Sequence, residues 1–245
     1  MKKIRFAIIP AVLVAISFFF LPELSKAKKL SASLQSAPFT EVIMQDSAAS
    51  DFSTLYDSLG LETKGLSRET FDLAVAGYNK LTAAGKISNN KLSIVDFSQA
   101  STKKRLYVID LAAKQLLFNT MVAHGKNSGE LMAKNFSNVA ESNQSSLGFY
   151  VTAEKYMGKH GLSMRLDGME KSNSRARERA IVMHAADYVS EGFAKSRGFI
   201  GRSWGCPAVS PEVNEQIINA VGNGSCLFIY SPQQSYLSET TLAVK

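Results

Sequence analysis

The chain has 245 residues, 45% of them hydrophobic and 20% charged, with a formal net charge of +7 at pH 7. This ordinary globular composition excludes a chain that is disordered over most of its length. Its basic residues form no patch interleaved with aromatics, so we expect no nucleic-acid partner. The two cysteines and three histidines show no zinc-type ligand spacing, and there is no glycine-rich phosphate loop. We therefore expect neither a metal nor another cofactor.

The N-terminus predicts a secretory signal peptide over residues 1–27. A positively charged start (Lys2, Lys3, Arg5) precedes an uncharged apolar run over 6–21. Ser25-Lys26-Ala27 then places small residues at the two positions that a signal peptidase recognises. The apolar run is slightly short for a spanning helix, and an uncleaved membrane anchor is the alternative. We therefore expect an exported protein that contacts a membrane only if this segment stays uncleaved.

The next part of the chain predicts helices. Residues 28–50, rich in Ser, Ala, Lys and Gln, predict a flexible lead-in, and residues 51–90 a helical N-terminal segment. Within that segment we predict helices over 51–60 and 67–84. Ser67 suits the N-cap of the second helix because its hydroxyl can accept a hydrogen bond from the first turn. Gly85 suits the helix end.

Residues 91–235 predict a domain dominated by strands, followed by a C-terminal tail over 236–245. Short β-rich runs predict strands over 92–97, 105–111, 115–123, 147–152, 180–183 and 225–230. Residues 112–114 would form the turn of a hairpin between the second and third of these strands. Ser210-Pro211-Glu212 is a strong helix start, and Gly222 would end that helix. The fold class is therefore mainly β with a few helices (α+β).

Two residues in this domain have the setting of a nucleophile and its base. His184 directly follows a buried strand, and Cys206 lies between Gly205 and Pro207 in a tight loop before a helix. Thiolate chemistry needs a base or cation near the sulfur, and such a loop exposes the thiol. Alternatively, His184 is an ordinary strand-end histidine and Cys206 forms a disulfide with Cys226, the default in an exported protein. Cys226 lies in an apolar strand, where free cysteines are common, and this favours the first hypothesis.

Other polar residues near this pair are candidates for the same site. Tyr188, four residues after His184, would line the cleft or pack half-buried, and Ser203 would hydrogen-bond within the cysteine loop. Arg175, Arg177 and Arg179 alternate ahead of the His184 strand, which would place them on one side, toward an acidic substrate. A solvated face is the usual meaning of such a basic run. His160, beside Gly161, is typical of a turn, and we assign it no function.

The residues around Cys206 also carry a family resemblance. The loop reads Gly201-Arg202-Ser203-Trp204-Gly205-Cys206-Pro207-Ala208, and the stretches 122–129, 145–150 and 176–184 match the same pattern. Over roughly residues 100–232 the chain resembles the L,D-transpeptidase catalytic domain (YkuD-like), in the branch with Gly-Arg-Ser-x-Gly-Cys-Pro-Ala. The resemblance implies a β-sandwich catalytic domain of that type. It also implies an enzyme of the periplasm or cell envelope whose partners are peptidoglycan stem peptides.

The resemblance further implies a mechanism. Cys206 would attack the carbonyl of the third stem residue, commonly diaminopimelate, and expel the terminal D-Ala, while His184 takes the thiol proton. A backbone carbonyl just after His184 would orient its ring. Backbone N–H groups near Gly205 and Cys206 would hold the oxyanion. The resemblance also implies that His124 faces the substrate groove; the alternative is a polar strand-end group that is only solvated. The acyl group would pass to an amine, or to water in an L,D-carboxypeptidase.

Three departures from the better-known family pattern accompany this resemblance. Trp204 stands where many members have a second histidine, and Pro207 where many have Arg or Asn. The gap between His184 and Cys206 is also longer than usual. Arg202 would replace the lost side chain in meeting a substrate carboxylate. The catalytic hypothesis predicts a free thiol of low pKa at Cys206. Its alternative is a non-catalytic wall-binding module with a Cys206–Cys226 disulfide.

Overall fold

A single β-sheet organises the computed structural model, which describes residues 52 and 54–244. Its eight strands have the spatial order β3-β2-β1-β8-β4-β5-β6-β7, and an antiparallel bridge between Ala123 and Ala208 brings the two ends together. The sheet is therefore nearly closed, and the mainly β fold class is confirmed. The strands are β1 (Lys91–Asp96), β2 (Leu106–Asp110), β3 (Gln115–Thr120), β4 (Gly148–Gly158), β5 (Gly161–Gly168), β6 (Val182–Ala185), β7 (Ala208–Val209) and β8 (Cys226–Tyr230).

The helices lie around this sheet. They are α1 (Arg68–Ala83), α2 (Glu191–Arg197), α3 (Pro211–Val221) and α4 (Gln234–Leu237), and residues 54–58 are helical as well. The side chain of Ser67 caps α1 by accepting a hydrogen bond from the Thr70 N–H at 3.1 Å. Ser210 caps α3 in the same way, with Pro211 at the first helical position. The helices predicted over 67–84 and between Ser210 and Gly222 are confirmed as α1 and α3, and residues 54–58 are helical within the predicted helix over 51–60. The sequence patterns did not indicate α2 and α4.

The helical N-terminal segment shares its core with the sheet. A Cβ at Gly77 of α1 would lie 2.1 Å from the ring of Phe149, so this helix position requires glycine. Phe149 in turn stacks on Phe228, with 4.2 Å between ring centroids. The segment after β8 also packs: Tyr236 and Ala243 are buried, and Lys80 of α1 donates to the Thr241 carbonyl at 2.9 Å. The predicted signal peptide and lead-in lie outside the described residues.

Two strand predictions differ from the structure. The predicted strand 147–152 is the beginning of a longer β4, which forms an antiparallel hairpin with the unpredicted β5. Four of the last five residues of β4 are solvent-exposed, so the apolar signal that predicts strands is weak there. The predicted strand over 180–183 begins only at Val182, because Ala180 has a left-handed backbone (φ 52°). Of the helices in the described residues, none is long and apolar enough to cross a membrane.

Candidate active site

A cleft of about 460 Å³ lies between the tip of the β4–β5 hairpin, the end of β6 and the loop before β7. Seven of the ten predicted site residues line it: Arg179, His184, Tyr188, Arg202, Ser203, Trp204 and Cys206. Gly205 belongs to the same loop, and His124 and Arg177 do not line the cleft. Tertiary folding therefore brings together side chains that are up to 27 positions apart in the sequence. Among the described residues, no group of His, Cys, Asp and Glu side chains could hold a metal ion.

The sulfur of Cys206 is held against the start of β6. Its Sγ accepts a hydrogen bond from the Val182 N–H at 3.4 Å and donates to the Ala180 carbonyl at 3.7 Å. The parallel pairing of β6 and β7 places His184 opposite Ala208, two residues after the cysteine. Because β6 carries both the sulfur's hydrogen-bond donor and His184, the strand fixes the thiol and the imidazole in one frame.

The loop that carries Cys206 is tightly specified. The Ser203 hydroxyl donates to the Cys206 carbonyl at 2.6 Å and accepts from the Gly205 N–H at 3.1 Å. Ser203 therefore forms hydrogen bonds within the cysteine loop, as the sequence predicts. Gly205 has φ 124°, and a Cβ there would meet the Gln144 carbonyl at 2.7 Å. Both the backbone angle and the space therefore require glycine.

The same contacts narrow the choice of oxyanion donor. The Gly205 N–H, which we expected to be one such donor, is already bonded to Ser203. The Cys206 N–H has no hydrogen-bond partner in the described part of the chain. Of the two N–H groups that we expected to hold the oxyanion, that of Cys206 is therefore the one that is free to bind it.

His184 has the protonation state of a general base. Its Nδ1 lies 2.8 Å from the Ala185 carbonyl, and because a carbonyl only accepts, Nδ1 carries the proton and Nε2 the lone pair. This is the backbone carbonyl just after His184 that the family resemblance implies. Burial, opposed by this hydrogen bond, lowers the pKa of His184, and the neighbouring His160 and Lys159 lower it further. The imidazole is therefore neutral near pH 7 and able to take a proton.

The thiol does not have the low pKa that we expected. Burial raises the pKa of Cys206, although the Val182 N–H and the Arg179 guanidinium act in the opposite direction. The physical reason is that a half-buried sulfur loses hydration that a thiolate needs. Near pH 7, both the Cys206 thiol and the His184 imidazole are therefore uncharged.

Arg179 is a charged group held beside the Cys206 loop, with its Nη2 3.2 Å from the position of a Cβ at Gly205. Its Nη1 donates to the Ser137 carbonyl at 2.7 Å and its Nη2 to the Gln144 carbonyl at 2.6 Å. The hydroxyls of Ser146 and Ser142 accept further bonds at 3.3 and 3.2 Å. The guanidinium thus ties the 137–146 segment to the site and supplies a positive charge beside the sulfur.

Arg202, Trp204 and Tyr188 form other walls of the cleft. Arg202 Nη1 donates to the Gly129 carbonyl at 3.1 Å, which anchors this cation at the rim. The Trp204 side chain is 71% exposed, with the Nζ atoms of two lysines within 6 Å of its ring. Tyr188 packs against Gly201, and burial raises its pKa to about 12, so its phenol stays neutral. These three side chains are placed where a ligand of the cleft would meet them.

The structure corrects the expectation that His124 faces the substrate groove. His124 is fully buried; its Nδ1 lies 2.7 Å from Arg105 Nη2, and its Nε2 donates to the Gly129 carbonyl at 3.1 Å. Burial and the Arg105 charge lower its pKa to about 4, so the ring is neutral. Its backbone carbonyl accepts from the Ser203 N–H at 2.9 Å. His124 therefore supports the cysteine loop from the interior.

Arg177 also differs from its predicted position. The segment before β6 consists of turns and not of an entering strand, so the three arginines do not share one side. Arg177 is exposed and pairs with Asp167 at 2.6 Å and with Glu154 at 2.8 Å. Arg175 pairs with Glu178 on the surface. Of this basic run, Arg179 alone lines the cleft.

The two cysteines are not bridged. Cys206 and Cys226 are both free, and Cys226 is fully buried in β8, where it pairs in register with Leu92 and Val151. Burial raises its pKa strongly, as expected for an inert structural thiol. The disulfide on which the non-catalytic alternative depends is therefore absent from the described residues.

A free thiol and a neutral, carbonyl-oriented imidazole that line one cleft are typical of enzymes that transfer acyl groups through a cysteine. The model of the L,D-transpeptidase catalytic domain matches residues 62–230, and the chain belongs to this family. Among curated proteins, none is similar enough to count as a match.

Comparison with solved structures finds further L,D-transpeptidases. One from Mycobacterium smegmatis is 13% identical, covers 58% of this chain and 59% of its own, and has a TM-score of 0.36. L,D-transpeptidase 3 from Mycobacterium tuberculosis is 13% identical over 58% and 61% of the two chains, with a TM-score of 0.37. One from Stackebrandtia nassauensis is 13% identical over 69% of each chain, with a TM-score of 0.36. The chain thus spans about 60% of the two mycobacterial proteins.

Proposed function

We propose that this protein is an exported, cysteine-dependent L,D-transpeptidase that acts on peptidoglycan stem peptides. The observation that carries the proposal is the meeting of Cys206 and His184 in one cleft, within the part of the chain that the family model matches. The Ala185 carbonyl, which holds the His184 ring, supports the role of base.

The chemistry begins with attack of the Cys206 sulfur on the carbonyl carbon of the third stem residue. His184 Nε2 takes the thiol proton as the C–S bond forms, and the Cys206 N–H binds the resulting oxyanion. The intermediate collapses when the C–N bond to D-Ala breaks and His184 returns the proton to the leaving amine. An amine of a second stem peptide then attacks the thioester, which forms the new amide and frees the thiol.

The charge of the cleft supports an acidic substrate. Arg179, Arg202 and Lys159 line it, and none of its lining side chains in the described part of the protein is an Asp or Glu. A peptide with several carboxylates would be attracted to such a site. A basic amine acceptor has no lining carboxylate to bind, so we place the carboxylate-rich donor peptide in this cleft.

The reaction is tested with the purified protein and a disaccharide-tetrapeptide, analysed by mass spectrometry. We expect release of D-Ala and formation of cross-linked dimers by the wild type, and neither product with Cys206→Ala. Cys226→Ala serves as the matched control, because its thiol lies in the core and should not affect the chemistry beyond a loss of stability. Tripeptide without dimers would assign the L,D-carboxypeptidase reaction instead. An unchanged substrate with folded wild type would contradict both reactions.

Export is a separate part of the proposal. It is supported by the basic start and uncharged apolar run of residues 1–27. The exported protein should begin at residue 28, and N-terminal sequencing of protein recovered from the cell envelope tests this. A chain that retains residues 1–27 there would instead indicate the uncleaved anchor.

A further inference from the structure

A second histidine lies against the base from a distant part of the chain. The tip of the β4–β5 hairpin places the His160 ring over the His184 ring, with 4.6 Å between centroids and 30° between planes. Gly161 follows with φ 76°, a left-handed angle that lets the chain turn sharply at this point. The hairpin thus places the His160 imidazole in the cleft, although the residues next to His160 in the sequence indicate only a turn.

This contact constrains the base where the hydrogen bond does not. The Nδ1–H bond to the Ala185 carbonyl fixes one edge of the His184 ring. It still permits the ring plane to tilt, because terminal aromatic torsions are broad. Contact with the His160 face limits that tilt, and among the described residues it is the one aromatic ring packed on His184.

We propose that His160 is a positioning residue for His184: its stacked ring fixes the plane of the base, and a positive charge on that ring disfavours a proton on the base. The effect of His160 on turnover rests on the proposed function. The effect of His160 on the orientation and protonation of His184 does not. His160 contacts the base and no reacting atom, so its role is indirect.

The surroundings let this charge act. The titratable or charged side chains that line the cleft with the two rings come from every adjoining element: Lys159, Tyr156, Arg179, Tyr188, Arg202 and Cys206. Since no Asp or Glu lines the cleft in the described residues, no carboxylate there neutralises a protonated His160. A charged His160 therefore disfavours a second proton on His184. Burial is the main cause of the lowered pKa of His184, and His160 lowers that pKa further.

The test is histidine NMR on the full chain, where the three histidines give three imidazole signals. Variants His160→Phe and His160→Gln both remove the charge, but Phe keeps an aromatic face against His184. In both variants we expect the titration midpoint of His184 to rise by roughly half a pH unit or more. Lys86→Gln, which removes an exposed cation outside the cleft, is the control and should leave the midpoint unchanged.

The rate of D-Ala release distinguishes the effect of the His160 ring from the effect of its charge. Well above the midpoint of His184, His160→Gln should release D-Ala several-fold more slowly than His160→Phe, because only phenylalanine keeps an aromatic face against the base. An unchanged His184 midpoint in both variants overturns the electrostatic role, and equal turnover of Gln and Phe variants overturns the positioning role. If the midpoint shifts while the wild type releases no D-Ala, the proposed function fails and the inference about His160 stands.

Discussion

The hydroxyl of Ser203 donates to the carbonyl oxygen of Cys206 at 2.6 Å and so closes the loop that presents the nucleophile. It also accepts the Gly205 N–H, and the Ser203 side chain is nearly buried. Removing a buried hydroxyl leaves both partners unsatisfied, since water has little access to replace it.

Ser203→Ala should therefore destabilise the protein by about 1–2 kcal/mol and lower kcat/KM at least several-fold. Urea unfolding and D-Ala release measure the two effects. Ser196→Ala, which removes an exposed hydroxyl bonded within α2, is the matched control and should change neither quantity noticeably. Wild-type kcat/KM in Ser203→Ala would mean that this hydrogen bond does not hold the nucleophile.

Arg179 and Arg177 offer a comparison between a cleft cation and a surface cation. Arg179→Gln removes four hydrogen bonds to the 137–146 segment and the positive charge near Cys206. We expect kcat/KM to fall at least tenfold, which corresponds to about 1.4 kcal/mol of transition-state stabilisation. The thiol pKa should rise further, as measured by the pH dependence of alkylation.

Arg177→Gln removes an equal charge two positions away and should leave kcat/KM close to that of the wild type. The reason is that Arg177 points to Glu154 and Asp167 on the surface. Equal losses in the two variants would indicate a general effect of net charge and not a local effect of Arg179.

Cys206 and His184 could be singled out from the sequence as candidates because each lies in a short local pattern. His184 follows a short apolar run and Cys206 lies in a Gly-Cys-Pro loop, so a few neighbouring residues are enough to suggest a chemical role for each. The position of His160 could not be predicted, because its partner is 24 residues away across a hairpin whose first strand is largely exposed toward its end and gives a weak signal. Likewise, the burial of His124 depends on Arg105, which tertiary packing brings to it. Contacts between residues that are distant in the chain leave no local sequence pattern, and so these two positions could not be predicted.

The pH dependence of activity follows from the shifted pKa values of His184 and Cys206. The pKa of His184 is lowered, so the fraction of unprotonated base rises with pH through a midpoint below the usual histidine value of about 6.5. The pKa of Cys206 is raised, so the thiol keeps its proton until pH exceeds its usual range. We expect kcat/KM to rise on the acid side and stay level through neutral pH. A maximum confined to acid pH would contradict this assignment and indicate a thiolate–imidazolium pair.

Stability in acid should depend on His124. Its pKa is about 4 in the folded protein, below the value of about 6.5 expected in the unfolded chain. The unfolded chain then binds more protons between these values, so the stability contributed by the neutral ring is present above pH 6.5 and is lost as pH falls to 4. The full effect is on the order of 3 kcal/mol. Urea unfolding at pH 7 and pH 4.5 measures it.

His124→Gln should flatten that pH dependence, because glutamine cannot titrate but can still accept from Arg105. Equal slopes in wild type and His124→Gln would show that other groups cause any loss of stability in acid.

The two thiols should differ sharply in accessibility. Cys206 lines the cleft and Cys226 is fully buried between β1 and β4, and neither is oxidised. A small alkylating reagent should therefore label one thiol in the native protein and two after unfolding without reductant. Peptide mapping should assign the first label to Cys206, and Cys206→Ala should abolish native labelling. If unfolding without reductant exposes no thiol, and reductant is needed to label either residue, the two cysteines are bridged in solution and the non-catalytic alternative gains support.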